Sequence, residues 1–279
     1  MNLPDGEPAI EPANGAREEI EQRPHGIAPV WHTVALIVFI LAVSIAGAYR
    51  SPGITSGGRV HKLATYAITG ALEVAIVGWV AFGMRLRRIP LRSLFGAIPG
   101  DLRSIALDAG IAIVFWIGSM MALGTAALFW LSVETAITHK PLPMHSTGGV
   151  PTPDPSQQHA VRAVLRLAPS NGREIAGWIL LCLLVGVAEE LVFRGYLQRQ
   201  FAAWARGEVS AGVALSAITF GAAHGYEGVR SMFLLTLSGV FFSFLALFRR
   251  SLRAGIFAHT WHDAFTGLMV SLLHARHLL

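Results

Sequence analysis

Charge, lysine and cysteine are all scarce in this chain of 279 residues. Charged side chains make up 14% of it and hydrophobic ones 53%, and the mean hydropathy is +0.53, a balance that excludes an ordinary soluble domain. The one cysteine, Cys182, excludes an internal disulfide, and its place in an apolar run marks it as core packing. Two lysines, Lys62 and Lys140, stand against twenty arginines, a bias that points to a GC-rich bacterial genome. No basic stretch precedes an early apolar run, so the sequence shows no secretory signal. Alternating segments of about ten residues, the mark of an outer-membrane barrel, are also absent.

What is present is a series of apolar runs close to the ~20 residues needed to cross a bilayer. They fall at Val30–Ala48, Val60–Met84, Ile105–Leu131, Ile175–Leu197, Ala211–His224, Ser231–Phe248 and Leu252–Leu273. The fifth is short and the last is interrupted by polar residues, which sets the range at six to eight spans. Each is expected to be a helix, because a helix satisfies its own backbone groups in lipid. The fold class is therefore all-α, a polytopic membrane bundle of about seven helices.

Four regions follow from this pattern. Residues 1–29 carry five prolines and six acids against Arg17 and Arg23, the composition of a disordered acidic arm. Residues 30–131 form a three-helix membrane region, 132–173 a proline-rich loop, and 174–279 a four-helix membrane core. Within the loop, Gln157–Ala168 reads equally as a plain linker or as a short helix lying on the membrane surface, with Arg162 and Arg166 on its polar face. Basic residues outside the spans divide twelve against nine between the two sides, and the dense clusters 85–92 and 249–253 share one side. By the positive-inside rule that side, with the amino terminus, is cytoplasmic. The net charge of +5 thus has a partner in anionic lipid headgroups and needs no nucleic acid. Nothing in the sequence sets an oligomeric state.

Ionisable residues within the spans are costly and usually functional. Glu189 and Glu190 sit side by side in the fourth span, and His224 and His259 lie in the fifth and seventh. At 1.5 Å per residue, Glu189 lies ~15 Å from Arg199, His259 ~12 Å and Asp263 ~18 Å from Ser251, and His224 ~19 Å from Ala211. All four distances are counted from the same side, so these groups share one layer near mid-membrane. Glu190 and Arg194 are spaced i,i+4 with the acid first, the favourable order for a pair on one helix. Glu189 faces about 100° away from Glu190 and is free for another helix. His259 and Asp263 share a face, whereas His262 is turned partly aside.

A desolvated glutamate is a competent general base for activating water, and histidine can assist it or stabilise a developing oxyanion. Neither a Gly-x-Ser-x-Gly nucleophile nor a His-Glu-x-x-His zinc signature occurs. A metal held by Glu189, His224 and His259 fits the same residue types but is not favoured, so no cofactor is expected.

Glu189-Glu190-Leu-Val-Phe-Arg194, Phe220-Gly-Ala-Ala-His224 and His259-Thr-Trp-His-Asp263 fit, in order, Glu-Glu-x-x-x-Arg, Phe-x-x-x-His and His-x-x-x-Asn/Asp. The set resembles the CPBP family of intramembrane glutamic proteases, which includes the CAAX prenyl-protein endopeptidases and bacteriocin-processing and immunity proteins. The resemblance covers roughly Ile175–His274; the first three spans match nothing specific. It implies Glu189 as general base, His224 as its helper, and Arg194 and Glu190 as orienting groups. It further implies Phe220 packed beside the site and His259 with residue 263 at the oxyanion. An ionised Asp263 cannot donate to an oxyanion, so it is either protonated or orients His259. The implied substrate is a membrane-associated peptide or a protein's hydrophobic tail, cut in a bacterial inner membrane near the cytoplasmic face; a protease for outer-side sorting tails is a narrower variant. A proton-coupled transporter and a catalytically silent binding or immunity protein are the competing readings.

Overall fold

The computed structural model describes residues 26–50, 61–96, 100–139 and 167–276. Seven helices run through these residues and no named strand occurs among them. They are α1 (Val30–Arg50), α2 (Lys62–Leu86), α3 (Leu102–Thr138), α4 (Gly172–Trp204), α5 (Val209–Ala223), α6 (Val229–Arg249) and α7 (Arg253–Ala275). Five of them, α1–α4 and α6, are long and apolar enough to cross a membrane. The protein is a polytopic helical bundle, as expected. The acidic arm lies outside the described residues apart from 26–29, as does the reading of 157–168 as a surface helix apart from 167–168.

Capping sets several ends. Asp101 accepts from the Ser104 amide at 3.0 Å and starts α3, and Asn171 accepts from the Arg173 and Glu174 amides at 3.1 Å and starts α4. α3 continues to Thr138, seven residues past the expected Leu131, where His139 turns into the left-handed region. α5 stops at Ala223, so His224, read above as the last residue of that span, is its terminal cap.

Neighbouring helices alternate in direction. One end of the bundle collects the starts of α1, α3, α5 and α7 and the finishes of α2, α4 and α6. There His32 of α1 packs on Gly83 of α2, where an added Cβ would lie 2.3 Å from the imidazole. At the same end the Leu91–Leu94 turn docks on the α6–α7 connection, Leu252 N–H donating to Phe95 O at 3.1 Å. The opposite end holds the Lys62–Glu174 ion pair, 3.5 Å, and a strap, Leu167–Ser170, tied to Tyr66, Lys62 and Ser271.

The principal core lies toward the first end and joins Met84, Leu94, Leu191, Tyr196, Leu197 and Leu252, each almost wholly buried. Many other apolar side chains, such as Phe248 at 77% exposure, face outward, which is the normal condition of a surface solvated by lipid.

Candidate active site

α4 is not uniform. It is α-helical over Gly172–Glu189, widens into a π-helix over Glu190–Leu197, and returns to α over Gln198–Trp204. π-helical turns are rare and concentrate at functional sites. The wider turn needs support from its neighbours. Ser216 of α5 donates to Phe193 O at 2.7 Å; just past the π-helix, Arg199 donates to Ser93 O and Leu94 O at 2.9 and 3.2 Å. On the α1 side, Thr33 Oγ1 lies 2.8 Å from the Tyr196 hydroxyl, which lies 3.1 Å from His32 Nδ1. His32 Nε2 donates to Trp79 O at 2.8 Å, so Nδ1 is left to accept from Tyr196.

The π-helix begins at the carboxylates. Glu190 is fully buried and pairs with Arg194, Oε1 to Nη1 at 3.0 Å. The guanidinium lies over the rings of Phe220 and Phe242, 4.4 and 5.0 Å from their centroids. Glu190 Oε1 also meets His259 Nδ1 at 3.3 Å. The other ring nitrogen, Nε2, lies 3.4 Å from Glu189 Oε2 and 3.8 Å from Asp263 Oδ2. His259 thus stands among three carboxylates, and the two glutamates address opposite nitrogens of one imidazole. Two glycines of the facing helices make this approach possible: a Cβ on Gly255 would lie 2.7 Å from Glu190 Oε2, and one on Gly186 would lie 2.5 Å from Thr260 Oγ1.

Glu189, His224, His259 and Asp263 line a cavity of about 440 Å³ together with Phe220. The four side chains, which come from α4, α7 and the cap of α5, are thus brought to one cavity. His224 Nδ1 lies 2.9 Å from Phe220 O; since a carbonyl only accepts, Nδ1 donates and Nε2 is left for the cavity. His262, set aside on the sequence, also lines the cavity, with its Nδ1 accepting from Trp116 Nε1 at 3.2 Å. Glu189 Oε2 is buried; His259 Nε2, 3.4 Å away, makes an ion-pair contact with it but no hydrogen bond. Such an acceptor calls for a water.

Two contributors escaped the sequence reading. Glu73 of α2 lines the large cavity and also an adjoining one of about 190 Å³; Glu189, His224 and Tyr226 are shared between the same two cavities. Glu73 interacts electrostatically with Glu189 and His259. An acid alone in an apolar run, Leu72-Glu73-Val74, is the same signal that singled out Glu189. Glu227, with Tyr226, comes from the turn after α5, and no spacing in the sequence aims that turn at the site. Asp108 of α3 also lies within a span, but it serves elsewhere: it pairs with Arg249, Oδ1 to Nη2 at 2.7 Å, and with Arg253. Among the described residues no three His, Cys, Asp or Glu side chains converge as ligands for one ion.

A bundle of apolar helices enclosing a chamber of carboxylates and imidazoles defines a multi-pass membrane protein with an internal polar site. Residues 171–265 match the family model described as Type II CAAX prenyl endopeptidase Rce1-like, a similarity that supports the CPBP/CAAX group which the three motifs resemble. No curated protein and no solved structure gives a significant match.

Proposed function

We propose that the chain is an endopeptidase of the bacterial inner membrane that hydrolyses a peptide bond of a membrane-associated substrate with water activated by Glu189 and His224. The observation that carries this reading is the buried Glu189 carboxylate, which meets His259 at 3.4 Å and faces a chamber it shares with His224. Glu189 takes a proton from water, and the water oxygen attacks the scissile carbonyl carbon. His259 donates to the oxyanion. Glu189 then hands its proton to the leaving nitrogen as the C–N bond breaks, giving a free carboxylate and an amine. Arg194 and Glu190 hold His259 and the π-helix in place. Asp263 orients His259 from 3.8 Å rather than meeting the oxyanion itself. Arginines at the end where α1 begins support a cytoplasmic amino terminus.

The test compares purified wild type with Glu189→Ala and His224→Ala, using lipidated and hydrophobic-tailed peptides with products read by mass spectrometry. Wild type cleaves, both variants lose cleavage, and chelators leave the rate unchanged. Loss of cleavage to chelators replaces the water-only mechanism with a metal-assisted one. Full cleavage by Glu189→Ala removes the proposal.

A further inference from the structure

α2 lies outside the segment that matches the family model, yet it brings the chamber a carboxylate of its own. Thr65, Thr69 and Glu73 recur every four residues, so one face of an otherwise apolar span is polar, and all three side chains line the chamber. A carboxylate in such a span is costly unless something meets its charge. Among the described residues Glu73 has neither a hydrogen bond nor an ion pair; it interacts electrostatically with Glu189 and His259.

The chamber as a whole carries the same imbalance. Among the described residues its lining holds four carboxylates, Glu73, Glu189, Glu227 and Asp263, three imidazoles, and no lysine or arginine. His262 is neutral, because its Nδ1 accepts from Trp116 Nε1 and so carries no proton. At most two cations, His224 and His259, therefore face four acids. Three of those acids have neighbours that answer them. Glu189 and Asp263 flank His259 at 3.4 and 3.8 Å, and Glu227 interacts with the adjoining His224 and Tyr226. Glu73 is the acid left over.

Its place suits a contact with substrate. Glu73, Glu189, His224 and Tyr226 are shared by the chamber and the adjoining cavity of about 190 Å³, whose wall also includes Phe39, Leu72 and Ile76. A chain whose scissile carbonyl lies between Glu189 and His224 thus presents a neighbouring side chain to Glu73. An apolar wall with one carboxylate beside it matches a long apolar stem that ends in a cation.

We propose that Glu73 is a specificity-determining residue, accepting a hydrogen bond from the cationic head of a substrate lysine or arginine next to the scissile bond. The proposal rests on the proteolytic reading of the same site and adds the chemistry of the preferred substrate. A neutral side chain at that position leaves Glu73 uncompensated, and an acidic one is repelled, so the site selects by penalty as well as by attraction.

The test uses full-length protein in detergent with hydrophobic-tailed peptides that differ in one residue, Lys, Met or Glu, scanned through the positions around the cut. Product mass spectrometry gives the rate on each. Wild type cuts the best lysine peptide on the order of tenfold faster than its methionine counterpart. In Glu73→Gln that ratio falls to about one, and Glu73→Asp keeps part of it. The ratio is insensitive to any general loss of activity in a variant. Absence of a lysine preference in wild type overturns the proposal, and so does a preference that survives Glu73→Gln. Where wild type cleaves nothing, the proteolytic reading fails separately, and equilibrium binding of the same peptides, fluorescently labelled, decides the role of Glu73. Tighter binding of the lysine peptide that Glu73→Gln abolishes supports the contact; equal binding of the lysine and methionine peptides overturns it.

Discussion

Arg194 shows how one side chain is fixed by several kinds of interaction. Its charge is matched by Glu190 at 3.0 Å, and its plane is held over Phe220 and Phe242. Lysine would keep the charge but lose both the planar fork and the stacking. Stacking of this kind in a dry site contributes about 1–2 kcal/mol, and a loss of that size corresponds to a roughly tenfold slower reaction if it falls on the transition state. Arg194→Lys should therefore fold and cleave on the order of tenfold more slowly, measured as kcat with KM little changed. Cleavage at the wild-type rate would show that charge alone suffices. This much of the site was legible before the structure, because Glu190 and Arg194 are neighbours on one helix and their spacing states their contact. The pairing of Glu189 with His259 was legible as a vacancy only: Glu189 had no partner on its own helix, and which helix supplied one depended on packing.

At the scale of elements, local sequence rules account for where helices begin and where α4 departs from regularity. Asp101 caps α3 through the Ser104 amide and hydroxyl, at 3.0 and 2.7 Å, and these bonds hold its carboxyl below its ordinary 3.8. A carboxylate with a lowered folded pKa contributes stability that is present above its unfolded pKa and lost as pH falls through the folded one. The start of α3 should therefore fray at pH values below 3.8, and Asp101→Ala should show the same fraying at neutral pH. Hydrogen exchange at Ser104 reads both; equal protection in variant and wild type would dismiss the cap. The π-helix was not legible. Glu190–Leu197 has the composition of any apolar helix, and its widened turn is held by Ser216 and by the Tyr196–Thr33–His32 chain, partners between 23 and 164 residues away from the residues they contact.

For the whole molecule, the Asp108 cluster is a buried ionic tie between the amino-terminal helices and the carboxy-terminal core. Asp108 is 1% exposed and joins α3 to both sides of the α6–α7 turn through Arg249 and Arg253. Asparagine there would leave two guanidinium groups facing a neutral amide. Breaking a buried pair from one side costs about 3 kcal/mol, and Arg249, a quarter exposed, recovers part of that by turning to water. Asp108→Asn should lower the unfolding temperature in detergent while leaving the Glu189 chamber intact. An unchanged unfolding temperature would mean that the remaining contacts join the two regions without help from Asp108.

The sequence by itself determined the membrane class, a bundle of about seven helices, and the ionisable residues within the apolar runs. These depend on quantities a linear chain carries: the length of apolar runs, the cost of a charge within them, and the fixed rise of a helix. Tertiary structure alone decided that Glu73 and Glu227 face the same chamber as Glu189 and that Asp108 does not. Both follow from the placement of helices and their rotation about their axes. Those features are set by close packing at positions such as Gly186 and Gly255, and in lipid, where every face of a span is apolar, no hydrophobic stripe in the sequence announces them.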